Sequence, residues 1–187
     1  YSLVVNGTKV ASMACTPSDL EGLAVGFLTS EGMIAGHADV QSVKIDEGII
    51  DVETRDGAEV ADRIAAISRY GTVPSVGKFL RARKVTSGLT VSVSSIVAIV
   101  KGFQNASELF RSTGGVNTAA ICEPDGLILS MDDIGRHNAV DKVLGTCSIK
   151  GIPTKDKLLL LTGRVSSDVL MKAAMREIPV LISLSAP

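Results

Sequence analysis

Short apolar runs alternate with polar punctuation along this chain, and the spacing of the runs changes from one stretch to the next. Two apolar stretches at residues 2–5 and 8–14 flank Asn6-Gly7, a dipeptide suited to consecutive positive φ values, which predicts a β-hairpin. Leu20, Leu23, Ala24, Phe27 and Leu28 then recur at i, i+3, i+4, i+7 and i+8, the stripe of a helix with one buried face. Thr16 is placed to cap that helix, Pro17 to fill its first turn, Asp19 to act as a capping acid and Gly32 to stop it. Residues 43–54 read as two strands around Glu47-Gly48.

Further on, Val60, Ile64 and Ile67 stand at helical spacing within 58–69. Residues 71–92 change texture: Gly71, Pro74, Gly77, Gly88 and several serines surround the basic run Arg81, Arg83 and Lys84. That stretch predicts a linker or mobile loop with a solvated charge run. Residues 92–111 are rich in β-branched side chains, yet Val93, Ile96, Val97, Val100 and Phe103 fit a helical face, and the length favours a helix. VNTAAIC and LILSM flank the turn Pro124-Asp125-Gly126. A helix over about 137–145, a buried strand KLLLLT, a helix over about 166–177 and the strand VLISLS follow. Hairpin, helix, strand, helix, strand is the order of a three-layer α/β core whose continuous apolar strands are covered on both faces. The expected organisation is a smaller N-terminal α+β portion with a mobile loop over 1–88 and the α/β core over 89–187.

Composition narrows the function classes. The 187 residues are 45% apolar and 21% charged, which excludes a disordered chain. Mean hydropathy is +0.33, but no apolar run has the length of a bilayer span. The net charge of −1 argues against an electrostatic nucleic-acid binder. The aromatics are sparse (Tyr1, Tyr70, Phe27, Phe79, Phe103 and Phe110), which argues against stacking platforms for single strands. Cys15, Cys122 and Cys147 are too few and too scattered for a disulfide framework, so reduced thiols and a cytoplasmic setting are expected. Tyr1 and Pro187 suggest that both ends are cut.

Three polar segments interrupt the α/β core at the edges of regular elements. Arg111–Thr118 carries Gly114 and Gly115, whose lack of side chains suits either a tight turn or close approach of backbone to a ligand. Asp132–Lys142 crowds Arg136, His137, Asn138, Asp141 and Lys142 near one helix start, more polar groups than capping requires, with His137 and Asp141 placed to meet at i and i+4. Thr162–Asp168 lies after a buried strand, where open α/β sheets bind ligands. In it, Ser166 or Ser167 can cap the next helix and Arg164 offers a planar fork for phosphate. His37 reads as a loop histidine, Cys122 and Cys147 as small apolar fillers. Cys15 reads as structural, although its place before a helix N-terminus is one that lowers a thiol pKa.

These segments together resemble the FdhD/NarQ family. The resemblance rests on TGGVNTAA at 113–120, DIGRHNAVDK at 133–142, GRVS at 163–166, and the run from Thr16-Pro17 through residues 23–28 to Glu31-Gly32. It implies a cytidine-deaminase-like core and a formate dehydrogenase accessory protein acting as a sulfurtransferase. Such a protein takes persulfide sulfur from a cysteine desulfurase and passes it to the bis-guanylate molybdenum or tungsten cofactor before insertion into apo-formate dehydrogenase. A homodimer is implied as well. The motif positions expected at the cofactor are Gly114, Gly115, Asn117, Asp133, Gly135, Arg136, His137, Asn138, Asp141, Lys142, Gly163, Arg164 and Ser166. Their chemistry suits that ligand: Arg136 and Arg164 for phosphates, the glycines for close contact, His137, Asn138 and Asp141 for polar edges.

The chain departs from the family pattern in two respects. Asn117 stands where the family usually has His, and an amide cannot shuttle a proton near neutral pH. The family's cysteine motif belongs between Gly88 and Leu89, and no cysteine stands there. The expectation is a longer polypeptide with a further cysteine in a flexible loop at that point. Without one, the alternative is a non-catalytic chaperone that binds the cofactor. Zinc-dependent deamination is excluded, since His137 is followed by Asn138 and Ala139 and no CxxC is present.

Overall fold

The computed structural model describes residues 1–55, Val60 and 84–185. The opening hairpin forms as its turn predicts. β1 (Ser2–Val5) pairs antiparallel with β2 (Thr8–Ser12), and Asn6 and Gly7 take φ values of 47° and 76°. β3 (Val40–Asp46) and β4 (Ile49–Thr54) pair antiparallel around Glu47-Gly48, and β4 runs parallel to β1, giving the order β2-β1-β4-β3. One face of this sheet buries Leu3, Val5, Ile50 and Val52 against α1 (Leu20–Ser30), which contributes Leu23, Ala24 and Leu28.

The second sheet has the order β6-β5-β7-β8. β5 (Asn117–Glu123) pairs antiparallel with β6 (Gly126–Asp133) and with β7 (Leu158–Leu161), and β8 (Val180–Ser183) lies parallel to β7. Alternation along β5 and β7 sends side chains to two apolar clusters. Ala119, Ile121, Leu159 and Leu161 meet α4 (Arg136–Ile149) and α5 (Ser167–Met175). Ala120, Cys122, Leu158 and Leu160 meet Ile99 and Phe103 of α2 (Val93–Gln104). The continuous apolar runs in these strands thus have helices on both faces, as expected.

Several boundaries differ from the sequence reading. α1 begins at Leu20, not beside Thr16; Asp19 is its N-cap residue, in the left-handed region and without a capping bond from its side chain. The polar groups of Thr16 are used elsewhere, as described below. α1 is also buried on more than one stripe, because it lies between the first sheet and α4, and Gly22, Val25 and Gly26 are buried with Leu23 and Ala24. The helix over 92–111 is broken: α2 ends at Gln104, and Ser107 caps a separate α3 (Glu108–Thr113). Its buried face is narrower than the periodicity implied. Only Ile99 and Phe103 are fully buried, while Val93 is 78% and Val97 47% exposed. The helix expected over 58–69 lies outside the described residues except for Val60, which is buried. Of the loop expected over 71–92, residues 84–92 are described and are irregular.

α1 and α4 cross with glycines in contact. A Cβ built on Gly145 would fall 1.9 Å from the Gly22 carbonyl oxygen, and one on Gly26 would fall 1.9 Å from the Asp141 carbonyl oxygen. Only hydrogen at these positions permits the approach. This crossing brings the N-terminal segment against the start of α4, where the polar motifs gather.

Candidate functional site

Strand register assembles the site. β5 starts with Asn117 opposite Asp133 at the end of β6, and Ala119 pairs with Leu161 at the end of β7. Asn117, Asp133 and the Thr162–Ser166 loop therefore share one end of the second sheet. The N-termini of α4 and α5 open at that same end. The three segments singled out in the sequence are thus brought together.

Within this cluster, burial separates two sets of residues. Asp133 and Lys142 are fully buried and form an ion pair of 2.7 Å. Asp133 also accepts from the backbone N–H of Thr16 (3.0 Å) and Gly135 (2.8 Å) and from Asn138 Nδ2 (3.0 Å). Lys142 Nζ donates to the carbonyls of Thr16 (2.9 Å) and Asp132 (3.1 Å). Thr16 closes the network by accepting from the Ile134 N–H at Oγ1, 3.1 Å away. Asn138 Nδ2 reaches the Ala14 carbonyl at 2.9 Å. Asp141 is likewise buried, accepting from Ser30 Oγ (2.8 Å) and from Lys172 Nζ (2.5 Å). These charges point inward because α4 is covered by α1 on one side and the sheet on the other. A helix start that reads as an exposed polar cluster therefore holds two buried ion pairs, whose polar atoms face each other and the backbone.

The second set faces outward. Arg164 is exposed on the loop after β7 and has no partner among the described residues. Arg136 is half-buried, and its Nε is buried without a hydrogen-bond partner. Gly163 is wedged between them and Asn117: a Cβ there would stand 2.8 Å from Asn117 Oδ1 and 2.9 Å from Arg136 Cβ. Gly114 ends α3 in the left-handed conformation, and Gly115 follows in the exposed loop into β5. Ser166, not Ser167, caps α5, accepting from the Val169 N–H at 3.4 Å.

His137 does not join Asp141 in a hydrogen bond. Its Nε2 lies 2.9 Å from Ser166 Oγ. Burial pushes its pKa below the ordinary 6.5; Asp168 opposes the shift, and Arg136 and Lys172 reinforce it. The imidazole is therefore neutral near pH 7. Cys15 departs from the lowered pKa its position suggested. Burial raises it first, and the Asp133 carboxylate adds to the effect. Cys122 and Cys147 are buried, with pKa values pushed up by burial to about 12 and about 11. Among the described residues no group of His, Cys, Asp and Glu is arranged to hold a metal ion. Nor is any described helix long and apolar enough to cross a membrane.

A cavity of about 320 Å³ opens beside Asn117, lined also by Phe103, Phe110, Thr118 and Thr162. The sequence reading placed Phe103 in the core and gave Phe110 no role. The only signal for either was an aromatic at the end of an apolar periodic run. Asp132, Thr16, Ser30 and Lys172 also hold the site together, through contacts between positions far apart in the chain.

A family model for the FdhD/NarQ family matches residues 1–187. The sulfur carrier protein FdhD of Bacillus subtilis (strain 168) is 34% identical over 200 residues, covering 100% of this chain and 74% of the relative. That of Staphylococcus haemolyticus (strain JCSC1435) is 37% identical over 195 residues, covering 98% and 73%. A crystal structure from Desulfotalea psychrophila, assigned as a formate dehydrogenase accessory protein, matches with a TM-score of 0.77. It is 24% identical and covers 100% of this chain and 72% of its own. The alignment with the Bacillus protein runs over 200 residues against all 187 of this chain, so that relative carries internal residues with no counterpart here.

Proposed function

The chain belongs to the FdhD/NarQ family, and from that premise we propose that it serves formate dehydrogenase maturation by holding the bis-guanylate molybdenum or tungsten cofactor as a bound cargo. The observation that carries this reading is the pairing of Arg136, with its buried and unpartnered Nε, and the exposed, unpartnered Arg164 across the side-chain-free gap at Gly163. Two guanidinium groups beside two helix N-termini favour the phosphates of such a ligand. Gly114, Gly115, Asn117, His137 and Ser166 lie on the loops and helix starts of this face. Asp133, Gly135, Asn138, Asp141 and Lys142 act behind them, fixing the α4 start on which Arg136 and His137 stand. The hairpin–helix–strand–helix–strand order supports a deaminase-like core, and apo-formate dehydrogenase is the recipient.

Sulfur transfer is the second reading, favoured by the printed name of the relatives. It needs a thiol that a cysteine desulfurase can load. The three cysteines of this sequence are two buried thiols with strongly raised pKa values and Cys15, whose pKa is also raised. A thiolate, not a thiol, accepts persulfide sulfur. The cofactor-holding reading therefore leads for this chain, and the homodimer implied by the resemblance remains part of the proposal.

Calorimetry with GDP as a fragment of the cargo tests the holding role. Arg136→Ala and Arg164→Ala are each expected to weaken binding by about 1.5–3 kcal/mol. Unchanged affinity in both removes the phosphate argument. Incubation with a cysteine desulfurase and ³⁵S-cysteine separates the two readings. Protein-bound, reductant-releasable label establishes sulfur carriage; its absence leaves cofactor holding.

A further inference from the structure

The cavity beside Asn117 differs in chemistry from the arginine face it adjoins. No charged side chain lines it, so it does not suit a phosphate. Phe103 and Phe110 give it two phenyl groups, surfaces against which a flat ring packs well. Asn117 donates through Nδ2 to the Ile134 carbonyl at 3.1 Å, and its Oδ1 accepts no hydrogen bond among the described residues. That oxygen is available to a ring N–H. The volume of about 320 Å³ lies within the range of small-molecule sites.

Asp132 does not line the cavity, yet it fixes two of the residues that do. Its Oδ1 accepts from Thr118 Oγ1 at 2.7 Å and its Oδ2 from Ser107 Oγ at 2.6 Å. Ser107 in turn caps α3, accepting from the Phe110 N–H at 2.8 Å. One carboxylate thus ties the helix that carries Phe110 to the strand that carries Asn117. Its backbone carbonyl accepts from Lys142, which joins the cavity wall to the buried ion pair.

We propose that this cavity takes a neutral, planar heteroaromatic ring of the ligand, and that Asp132 is the positioning residue that keeps the cavity in shape. The inference rests on the nucleotide-bearing cargo of the previous subsection and divides that ligand: phosphates on Arg136 and Arg164, ring between Phe103, Phe110 and Asn117. Removing the Asp132 carboxylate leaves the buried Ser107 and Thr118 hydroxyls without their acceptor and frees α3 to shift.

The test is calorimetric, with GDP and inorganic pyrophosphate as probes, on the wild type, Asp132→Ala, Asp132→Asn and Phe110→Ala. GDP binding is expected to weaken about tenfold in Asp132→Ala and Phe110→Ala, as for a lost ring contact, and less in Asp132→Asn, which retains one acceptor. Pyrophosphate binding is expected to stay within about twofold throughout. Should Asp132→Ala fail to fold, Phe110→Ala tests the ring site, since Phe110 is 39% exposed, and Asp132→Asn tests the positioning. Wild-type GDP affinity in all three variants overturns the inference and leaves the cargo reading intact. A parallel loss of pyrophosphate affinity shows Asp132 to be a general support of the fold. Wild-type protein that binds neither probe overturns the cargo reading itself.

Discussion

Gly145 of α4 lies against Gly22 of α1 so closely that a single added methyl would overlap the Gly22 carbonyl oxygen. Both partners at this point are backbone, so neither can swing aside as a side chain would. Gly145→Ala is expected to destabilise the protein by about 3 kcal/mol or more, the upper range for overpacking. Gly102→Ala, at a helical glycine with open space around it, is the control and leaves stability nearly unchanged. Chemical denaturation of the two variants measures the contrast, and equal stability would show that the helices separate at little cost.

Lys142 and Asp133 are buried together, and each keeps further hydrogen bonds when the other is lost. Lys142→Met leaves the Asp133 carboxylate buried without its counter-charge, at an expected cost of about 3–5 kcal/mol. Adding Asp133→Asn removes the stranded charge while keeping an acceptor for the Thr16 and Gly135 N–H groups. The double variant is expected to be more stable than Lys142→Met alone. A double-mutant cycle by urea unfolding reads this coupling, and strict additivity would refute it.

His137 carries a pH dependence whose sign follows from its lowered pKa. The folded protein binds a proton at this site less readily than the unfolded chain, whose histidine titrates near 6.5. Its contribution is therefore fully present above about pH 6.5 and is lost as pH falls through the folded value. The stability difference between wild type and His137→Gln is expected to shift against the wild type on acidification from pH 7.5 to 5. A difference that stays constant across that range would show that the imidazole is not desolvated in the fold.

Thiol labelling with an aromatic disulfide reagent checks the cysteine environments. Native protein is expected to leave Cys122 and Cys147 unmodified over the time in which denatured protein reacts at all three positions. Cys15, only partly buried, reacts first but slowly, because its pKa is raised. Fast labelling of any of the three at neutral pH would reopen sulfur carriage on that residue.

Local signals reached some of this architecture and missed the rest for physical reasons. Asn6-Gly7 and Glu47-Gly48 were legible because turn geometry depends on the dipeptide itself. The LLLL run of β7 was legible because a strand covered on both faces has no polar side. The position of the motifs at one end of the second sheet followed from strand order. The inward orientation of Asp141 and Lys142 did not, because it depends on α1, more than a hundred residues earlier, covering the start of α4. The same contact hides in the sequence as Gly22, Gly26 and Gly145, which carry no periodic apolar signal. Thr16 was read as a cap because capping is local, whereas its actual partners are distant. The cavity had no legible sign, since Phe103, Phe110 and Asn117 meet only when α2, α3 and β5 are packed.

The hydrogen bonds of Thr16 set a timetable for synthesis. Its amide meets Asp133 across 117 residues of chain, and its carbonyl meets Lys142 across 126. On a ribosome the N-terminal segment emerges long before either partner, and the hairpin and α1 must wait with the glycine face of α1 uncovered. Contacts of such sequence separation are slow to form, since the intervening chain must be closed into a loop first. The start of α4 therefore takes its native shape only after most of the polypeptide has been made. Refolding kinetics should accordingly show the second sheet protected against hydrogen exchange before the amides of Thr16 and Ile134.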